Sequence, residues 1–329
     1  MPMEQAERLK IICRNCNAKF DVTDFEPFST FACPNCGTKL RVPERFAAYL
    51  LEKVCGQGGM STVYRAIDPE MARHVAIKIM SPEAAADEAV RQHFLLQAQL
   101  IAKIDHPGIL PIYESGVFQN RPYLVMKFMD GGSFEQLLRN RILPGTPVLL
   151  NLLASVAGGL QALLHTGIIH HDIKPGNIMY SSDGTAGLCD FDLAESPLLG
   201  GAMTGSGEWA SPAYVSPEWL EYGTEDFRGD IFSFGVTAYE LLTGEIPYQT
   251  NGDAQILLDR RRHPLHLSAH DLNPEISRNF SEFLNTMMAF RPGERPDYSE
   301  IIRAFQAESQ RISAGPGKLQ KFIRLLRGK

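Results

Sequence analysis

Four cysteines near the N-terminus form the first set of residues with a recognisable chemistry. Cys13 and Cys16 make one CxxC pair, and Cys33 and Cys36 make a second after 16 intervening residues. Each CxxC turn holds two thiolates close together, so two turns can close a tetrahedral Zn²⁺ site. Two disulfides or four unligated thiols are the alternative. The pattern predicts a structural zinc ribbon over residues 11–43, because so few residues need a metal to fold.

A glycine-rich stretch followed by a lysine has the composition of a phosphate-binding element. Gly56, Gly58 and Gly59 lie between two strand-like runs, where the lack of side chains lets backbone N–H groups approach phosphates. A simple hairpin turn would explain the glycines equally well. The next strand ends in Val-Ala-Ile-Lys at Lys78. An ammonium buried in such a strand needs an anionic partner, and the phosphates of ATP would supply one.

Several further strings follow in one order along the chain. They are His170-His171-Asp172-Ile-Lys-Pro-Gly-Asn, Cys189-Asp-Phe-Asp, Ser216-Pro-Glu and Asp230-Ile-Phe-Ser-Phe-Gly. Together with the glycine-rich stretch and its lysine, these strings resemble the protein kinases over about 250 residues. A lysine two places after Asp172 resembles the serine/threonine kinases, and the chain looks like a bacterial eukaryotic-like member of that group.

The resemblance implies a role for each matching residue. Asp172 would orient the substrate hydroxyl or accept its proton, Lys174 would steady the transferred phosphoryl group, and Lys78 would bind phosphates. Asn177 and Asp190 would hold Mg²⁺ or Mn²⁺. The remaining nucleotide-binding residues would be Gly56, Gln57, Gly58, Gly59, Ser61, Val63, Ala76, Met126, Phe128 and Met179. The implied pair that anchors the activation segment is Glu218 with Arg295.

Three residues depart from the kinase pattern. Gln97 stands where a glutamate normally pairs with the phosphate-binding lysine, and its neutral amide offers a weaker hydrogen bond. His171 replaces the arginine that normally binds a phosphorylated activation loop, so control by loop phosphorylation is not expected. Asp192 replaces a glycine and loses its backbone freedom. The prediction is an active kinase that phosphorylates serine or threonine of a protein, and the alternative is a pseudokinase that binds nucleotide and acts as a scaffold.

The hydrophobic pattern predicts the elements that position these residues. Strand-like runs cover 49–54, 62–67, 74–80, 110–118 and 123–128, and a helix is expected over 87–104. The chain beyond Ser133 is mostly helical in pattern, with helices expected over 134–140, 147–165, 230–243, 254–262 and 276–289. This order predicts an α+β, bilobal kinase fold over 49–306, with a small β-rich lobe and a larger helical lobe.

Composition and charge indicate which classes of partner and which compartment to expect. The net charge of −6 does not favour nucleic acid as a partner. The resemblance to the protein kinases implies a protein substrate, and a regulatory protein partner is a further expectation. No leader-like segment and no run of about 18 apolar residues is apparent, which predicts a cytoplasmic protein without a membrane span. The basic amphipathic tail over 314–329 is expected either to pack on the kinase lobe or fray, or to contact an acidic membrane surface or a partner protein.

Two smaller sets of residues complete the expectations. Cys55 and Cys189 flank the expected nucleotide site and are interpreted as small buried packing residues. Thr204, Ser206 and Ser211 belong to the expected activation segment. The first two are candidate autophosphorylation sites, and Ser211 is expected to place its hydroxyl near Asp172.

Overall fold

The computed structural model describes residues 9–194, 212–248, 254–263 and 267–315. These residues divide into two units, each described by itself below. The first comprises Met1–Ala102 and Pro111–Phe128, and the second comprises Lys103–Leu110 and Met129–Lys329. Thr204, Ser206, Ser211 and most of the predicted tail lie outside the described residues.

The first unit opens with four short strands that carry the cysteine pairs. Strands β1 (Lys10–Ile12) and β2 (Lys19–Asp21) form one antiparallel hairpin, and β3 (Thr30–Ala32) and β4 (Lys39–Arg41) form another. Each hairpin follows the same plan, in which a CxxC turn connects the two strands. The metal-site cysteines therefore lie at equivalent places in two similar hairpins.

A six-stranded antiparallel sheet follows in the same unit. Its strands are β5 (Glu44–Phe46), β6 (Tyr49–Gln57), β7 (Ser61–Asp68), β8 (Arg73–Met80), β9 (Ile112–Phe118) and β10 (Arg121–Lys127). The spatial order is β5-β6-β7-β8-β10-β9. The five predicted strands are confirmed in type and place. The short β5 was missed, because three residues carry no readable alternation.

Strand β8 is the centre of this sheet, and every residue from Val75 to Met80 is buried. The helices α1 (Pro82–Ala85) and α2 (Glu88–Ile101) follow it, and Met80 packs with Ala85 of α1 and Phe94 of α2. The helix α2 begins after Asp87, whose carboxylate accepts hydrogen bonds from the second and third N–H groups of the helix. The helix predicted over 87–104 is thus confirmed, but it ends earlier than predicted, at Ile101.

The second unit is mainly helical. Its three-stranded sheet consists of β11 (Gly132–Ser133), β12 (Ile178–Tyr180) and β13 (Ala186–Leu188) in spatial order. Its α-helices are α3 (Phe134–Arg139), α4 (Thr146–His165), α5 (Pro217–Tyr222), α6 (Phe227–Thr243), α7 (Ala254–Arg262), α8 (Ala269–Leu272), α9 (Arg278–Met287) and α10 (Tyr298–Ala314). The predicted fold class, a β-rich lobe and a helical lobe, is confirmed.

Helix α4 forms the core of this unit. Among the described residues it is the single helix long and apolar enough to cross a membrane, judged by length and composition alone. Ten of its residues are buried, and α10 packs along it. Gly108 lies so close to α4 that an added Cβ would be 2.0 Å from the Ser155 carbonyl oxygen. A helix that is apolar on most sides suits such a buried place.

The predicted pair of Glu218 and Arg295 is confirmed. The guanidinium donates two parallel hydrogen bonds, from Nη1 to Oε1 at 2.6 Å and from Nη2 to Oε2 at 2.7 Å. The same guanidinium donates to the carbonyls of Ala289 and Arg228. Because the Arg295 side chain is 0% exposed, its charge is neutralised by Glu218 rather than by water. The pair ties the start of α5 to the segment before α10.

Removing one partner of this pair should strongly destabilise the fold. We expect Glu218→Ala to lower the free energy of unfolding by about 3–5 kcal/mol, because it leaves a buried guanidinium without its carboxylate. Urea denaturation measures the change. The control is Glu294→Ala, which removes an ion pair whose side chains are 80% and 57% exposed and should cost less than about 1 kcal/mol. Equal losses in the two variants would contradict the assignment.

Candidate active site

The glycine-rich stretch forms the hairpin between β6 and β7. Gly56 pairs with Val63, and the Gly58 N–H donates to the Ser61 carbonyl at 2.9 Å. A Cβ added at Gly56 or Gly59 would meet no atom within 4 Å, and neither glycine has a left-handed φ. Neither the backbone conformation nor local packing therefore requires glycine at these positions. Open space beside bare backbone N–H groups fits the close approach of phosphate oxygens.

Lys78 lies on one face of the sheet with other residues predicted to bind nucleotide. It is 7% exposed and stands opposite Val63 of β7. Ala76, two residues earlier and so on the same face, stands opposite Met126 of β10. The structure thus brings together the ammonium and three apolar side chains that adjacent strands supply. Gln97 is 5% exposed, on the buried side of α2.

The predicted catalytic residues of the second unit converge on one carboxylate oxygen. Lys174 Nζ donates to Asp172 Oδ2 at 2.7 Å, and Asn177 Nδ2 donates to the same oxygen at 2.7 Å. Asn177 Nδ2 also donates to the Asp172 backbone carbonyl at 2.8 Å. Three side chains spread over six residues are therefore held as one polar cluster. Met179 follows on β12, where it pairs with Gly187 of β13.

The segment that carries Asp190 is held beside this cluster. The Cys189 N–H donates to the Asn177 carbonyl at 2.9 Å, and Asp190 adopts a left-handed φ of 63°. Asp192, by contrast, has no left-handed φ. The glycine expected at that position is not required by this backbone conformation, so its replacement by aspartate introduces no strain here.

His170 is a buried neutral imidazole that connects the two segments. Its Nδ1 accepts from the Asp172 N–H at 3.3 Å, so the proton resides on Nε2, which lies 3.1 Å from the Cys189 carbonyl oxygen. Burial lowers the pKa of His170 and favours this neutral form. The ring centroid of Phe191 is 4.8 Å from the imidazole centroid. His170 therefore lies between Asp172 and the segment that carries Asp190, and it contacts both.

Asp230 of α6 anchors the catalytic segment by its backbone. Its Oδ2 accepts from the His170 N–H and its Oδ1 from the His171 N–H, both at 2.8 Å. Asp230 is only 3% exposed. Two consecutive backbone donors are thereby satisfied by one buried carboxylate, which holds the chain just before Asp172.

Sequence reasoning missed a buried polar network around His171. The His171 Nδ1 lies 2.9 Å from Glu225 Oε1, and these side chains are 7% and 6% exposed. The hydroxyl of Ser216 donates to the other oxygen of Glu225. A Cβ at Gly229 would lie 2.0 Å from that oxygen, so only glycine leaves room for this carboxylate. Burial raises the pKa of Glu225, while the His171 and Ser216 hydrogen bonds oppose the rise.

The network explains how the chain accommodates histidine before the catalytic aspartate. His171 has a left-handed φ of 64°, and its ring contacts an internal carboxylate that comes 54 residues later. Its ring centroid also lies 5.8 Å from that of Trp219 in α5. No single motif signals this arrangement, because Ser216 lies in a Ser-Pro-Glu string that gives no hint of a carboxylate partner, and neither Glu225 nor Gly229 belongs to a recognised string.

The four N-terminal cysteines form a cluster suited to a metal. Cys13 Sγ lies 3.6 Å from Cys36 Sγ, Cys16 Sγ lies 3.6 Å from Cys33 Sγ, and all four sulfurs lie within 4.8 Å of one another. Tetrahedral Zn–S bonds of about 2.3 Å require sulfurs roughly 3.8 Å apart, so the cluster fits Zn²⁺. Hydrogen bonds led by the Thr38 side chain lower the pKa of Cys36 to about 5, whereas burial raises the pKa of Cys33 to about 11.

The interpretation of Cys55 as a buried packing residue is wrong. Cys55 is exposed, because the end of β6 from Lys53 onward extends beyond the covered part of the sheet. Cys189 is half-buried.

Comparison with known proteins supplies the family. Residues 49–305 match the family described as the protein kinase domain. The chain belongs to the protein kinase family.

The similar proteins carry kinase names. The serine/threonine-protein kinase PknL of Mycobacterium tuberculosis is 36% identical over 215 residues, which are 65% of this chain and 53% of PknL. The serine/threonine-protein kinase PknJ of the same organism is 32% identical over 255 residues, or 76% of this chain and 43% of PknJ. The matched region thus spans about half of these relatives. The crystal structure of the Mycobacterium tuberculosis PknI kinase domain has the same fold, with a TM-score of 0.60, 24% identity, and coverage of 82% of this chain and 99% of that one.

The buried network around Glu225 generates a test with two variants. Glu225→Val should lower the free energy of unfolding by about 1–3 kcal/mol, because it removes the acceptor of His171 and Ser216. Glu225→Gln keeps an acceptor oxygen and should cost less. Urea denaturation at pH 7 measures both, with the exposed Glu245→Gln as the control.

The dependence on pH checks the same assignment. Because the native pKa of Glu225 is raised above 4.5, the native state binds this proton more tightly than the unfolded state does. The wild type should therefore lose stability relative to Glu225→Gln as the pH rises above 4.5 and through the raised value. A constant difference between them from pH 4.5 to 8 would contradict the assignment.

Proposed function

We propose that this protein kinase transfers the γ-phosphoryl group of ATP to serine or threonine of a protein substrate. The observation that carries the proposal is the cluster in which Lys174 and Asn177 both donate to Asp172 Oδ2. Family membership implies ATP and Mg²⁺ or Mn²⁺ as the nucleotide and the metal. The names of the similar proteins support serine and threonine as acceptors.

The proposed roles in the second unit follow from charge and hydrogen bonding. Asp172 orients the acceptor hydroxyl and accepts its proton, while Lys174 stabilises negative charge on the transferred group. Asn177 and Asp190 offer an amide oxygen and a carboxylate, which are ligands that Mg²⁺ prefers. The metal, when bound, neutralises charge on the phosphate oxygens. Positioning and charge stabilisation supply most of the catalysis in phosphoryl transfer.

In the first unit, Lys78 and the glycine-rich hairpin are proposed to bind the phosphates. Backbone N–H groups of this hairpin, other than that of Gly58, which donates to the Ser61 carbonyl, would donate to phosphate oxygens, and Lys78 would add a charge. Val63, Ala76 and Met126 share the face of Lys78 and supply an apolar surface for the adenine ring. Gln57, Ser61, Phe128 and Met179 complete the proposed set.

The departures from the kinase pattern are compatible with activity. Gln97 is buried with the apolar face of α2, and Asp192 requires no strained backbone. His171 is held by Glu225, so the backbone before Asp172 is positioned by contacts inside the described chain. These contacts support catalysis that does not depend on a phosphorylated activation segment.

Replacing the proposed base tests the function. Asp172→Asn should lower magnesium-dependent phosphate transfer to a generic protein substrate about 10²–10⁴-fold, because the amide cannot accept the hydroxyl proton. Transfer of labelled γ-phosphate, followed by phosphoamino-acid analysis, measures it. The exposed Asp271→Asn is the control and should keep wild-type activity. If the wild type and Asp172→Asn both bind ATP and are equally inactive, the proposal is wrong.

We also propose that the cysteine cluster, within a ribbon spanning residues 11–43, binds one structural Zn²⁺. The fit of the four sulfurs to tetrahedral spacing supports it, and so does the small apolar content of the ribbon. The metal would hold the two hairpins together.

Metal content tests the ribbon. Wild-type protein should contain about one zinc per chain, and Cys13→Ser should lose most of it, because three thiolates bind the ion less tightly than four. Cys55→Ser is the matched control, since Cys55 is an exposed cysteine outside the cluster. Mass spectrometry under native conditions measures the zinc content of the wild type and of both variants. Equal zinc in the two variants, or none in the wild type, would refute the proposed site.

A further inference from the structure

The first unit contains a groove that the proposed catalytic function does not use. It has a volume of about 900 Å³ and is lined by the ribbon strands β1 and β4 and by the sheet strands β6 and β7. Its walls therefore come from the ribbon and from the sheet that follows it in the chain, and both belong to one unit. The two walls are joined by contacts outside the cysteine cluster. Arg14 pairs with Glu52 at 3.5 Å, and the ring of Phe28 stacks on Tyr64 at 6.1 Å.

The groove is strongly positive. Among the described residues that line it, Glu52 is the one carboxylate, and it contacts Arg14 at 3.5 Å and Arg65 at 2.7 Å. One negative charge cannot neutralise the six cationic side chains that line the groove, which are Lys10, Arg14, Lys39, Arg41, Lys53 and Arg65. Low-dielectric walls that carry one sign of charge concentrate ligands of the opposite sign.

The groove also offers apolar contact and free strand edges. Half-buried aliphatic side chains of Ile11, Leu40, Leu50 and Ile67 line it between the cations. Strands β1 and β4 each have one partner strand among the described residues, so each keeps an open edge. An extended peptide can pair with such an edge while its alternate side chains enter the groove.

These features together favour a peptide over a nucleic acid. No aromatic side chain is present among the lining residues that the structure describes, and these residues offer no platform on which bases could stack. Lys39 and Arg41 are exposed and two residues apart on β4, which places both charges on one side of the strand. That spacing matches alternate acidic residues of an extended segment.

We propose that this groove is a docking site for an extended, acidic segment of a partner protein. Carboxylates of the segment would pair with Lys39, Arg41 and Lys53, and its aliphatic residues would pack on Leu40 and Leu50. This inference does not rest on phosphoryl transfer, because binding here requires none of the catalytic residues.

Selection from a peptide library tests the proposal. The intact zinc-loaded chain is presented with random 12-residue peptides displayed on phage, and the most enriched peptide is synthesised with a fluorescent label. We expect Asp and Glu to be enriched at least twofold over the starting library. Replacing the acidic residues of that peptide by Gln should weaken its affinity at least tenfold in fluorescence anisotropy.

Charge reversal locates the binding site. The double variant Lys39→Glu/Arg41→Glu should bind the labelled peptide at least tenfold more weakly than the wild type. Lys53→Glu, on the opposite wall, should bind it at least threefold more weakly. The matched control is Lys19→Glu/Lys103→Glu, which reverses two exposed lysines outside the groove and should change affinity less than twofold. Circular dichroism and the thermal midpoint verify that each variant is folded.

Three results would overturn the proposal. The first is a selected pool without acidic enrichment, and the second is equal peptide affinity in the groove and control variants. The third is tighter binding of a 12-nucleotide single strand or a 12-base-pair duplex than of the peptide at the same salt concentration, which would make the groove a nucleic-acid site. Kinase activity measured alongside separates these failures from a failure of the proposed catalysis.

Discussion

The arrangement of the proposed catalytic loop depends on one buried carboxylate. Asp230 accepts hydrogen bonds from two consecutive backbone N–H groups, those of His170 and His171, and so holds the chain immediately before Asp172. A loop has no ladder of its own to satisfy such donors, and each donor left unpaired in the interior would cost about 1–3 kcal/mol. Helix α6, which carries Asp230, is buried on most sides, so the carboxylate projects from a helix of the packed core.

Next to Asp230, a hydrogen-bond network around His171 takes the place of the arginine that is usual in protein kinases. His171 stands where an arginine is usual, and Glu225, Ser216 and Gly229 complete its surroundings. The four residues are interdependent for physical reasons. The buried His171 imidazole needs a hydrogen-bond partner, and the Glu225 carboxylate needs two donors if it is to be buried. The space that this carboxylate occupies exists only because residue 229 is glycine. Because each member depends on the others, the set is a more specific feature of this chain than any one substitution.

The ribbon shows how misleading a whole-chain charge can be. The net charge of −6 argues against anionic partners, yet one groove of the first unit gathers six cations around one carboxylate. Net charge averages over the whole surface, whereas binding responds to the local potential within about a Debye length, or ~8 Å at physiological salt. The proposed zinc site matters here because it would hold together the hairpins from which one wall of the groove is built.

The sequence by itself determined the fold class, the order of strands and helices, the cysteine cluster, the grouping of Asp172, Lys174 and Asn177, and the pairing of Glu218 with Arg295. The elements and the Asp172 cluster are encoded by local periodicity or by short motifs, whereas the long-range pairing of Glu218 with Arg295 was inferred from the resemblance to the protein kinases. Tertiary structure alone decided that Glu225 meets His171, that Cys55 is exposed, and that β1 and β4 form a groove with β6 and β7. Each of these depends on which distant segments pack together, and short-range pattern carries no information about such contacts.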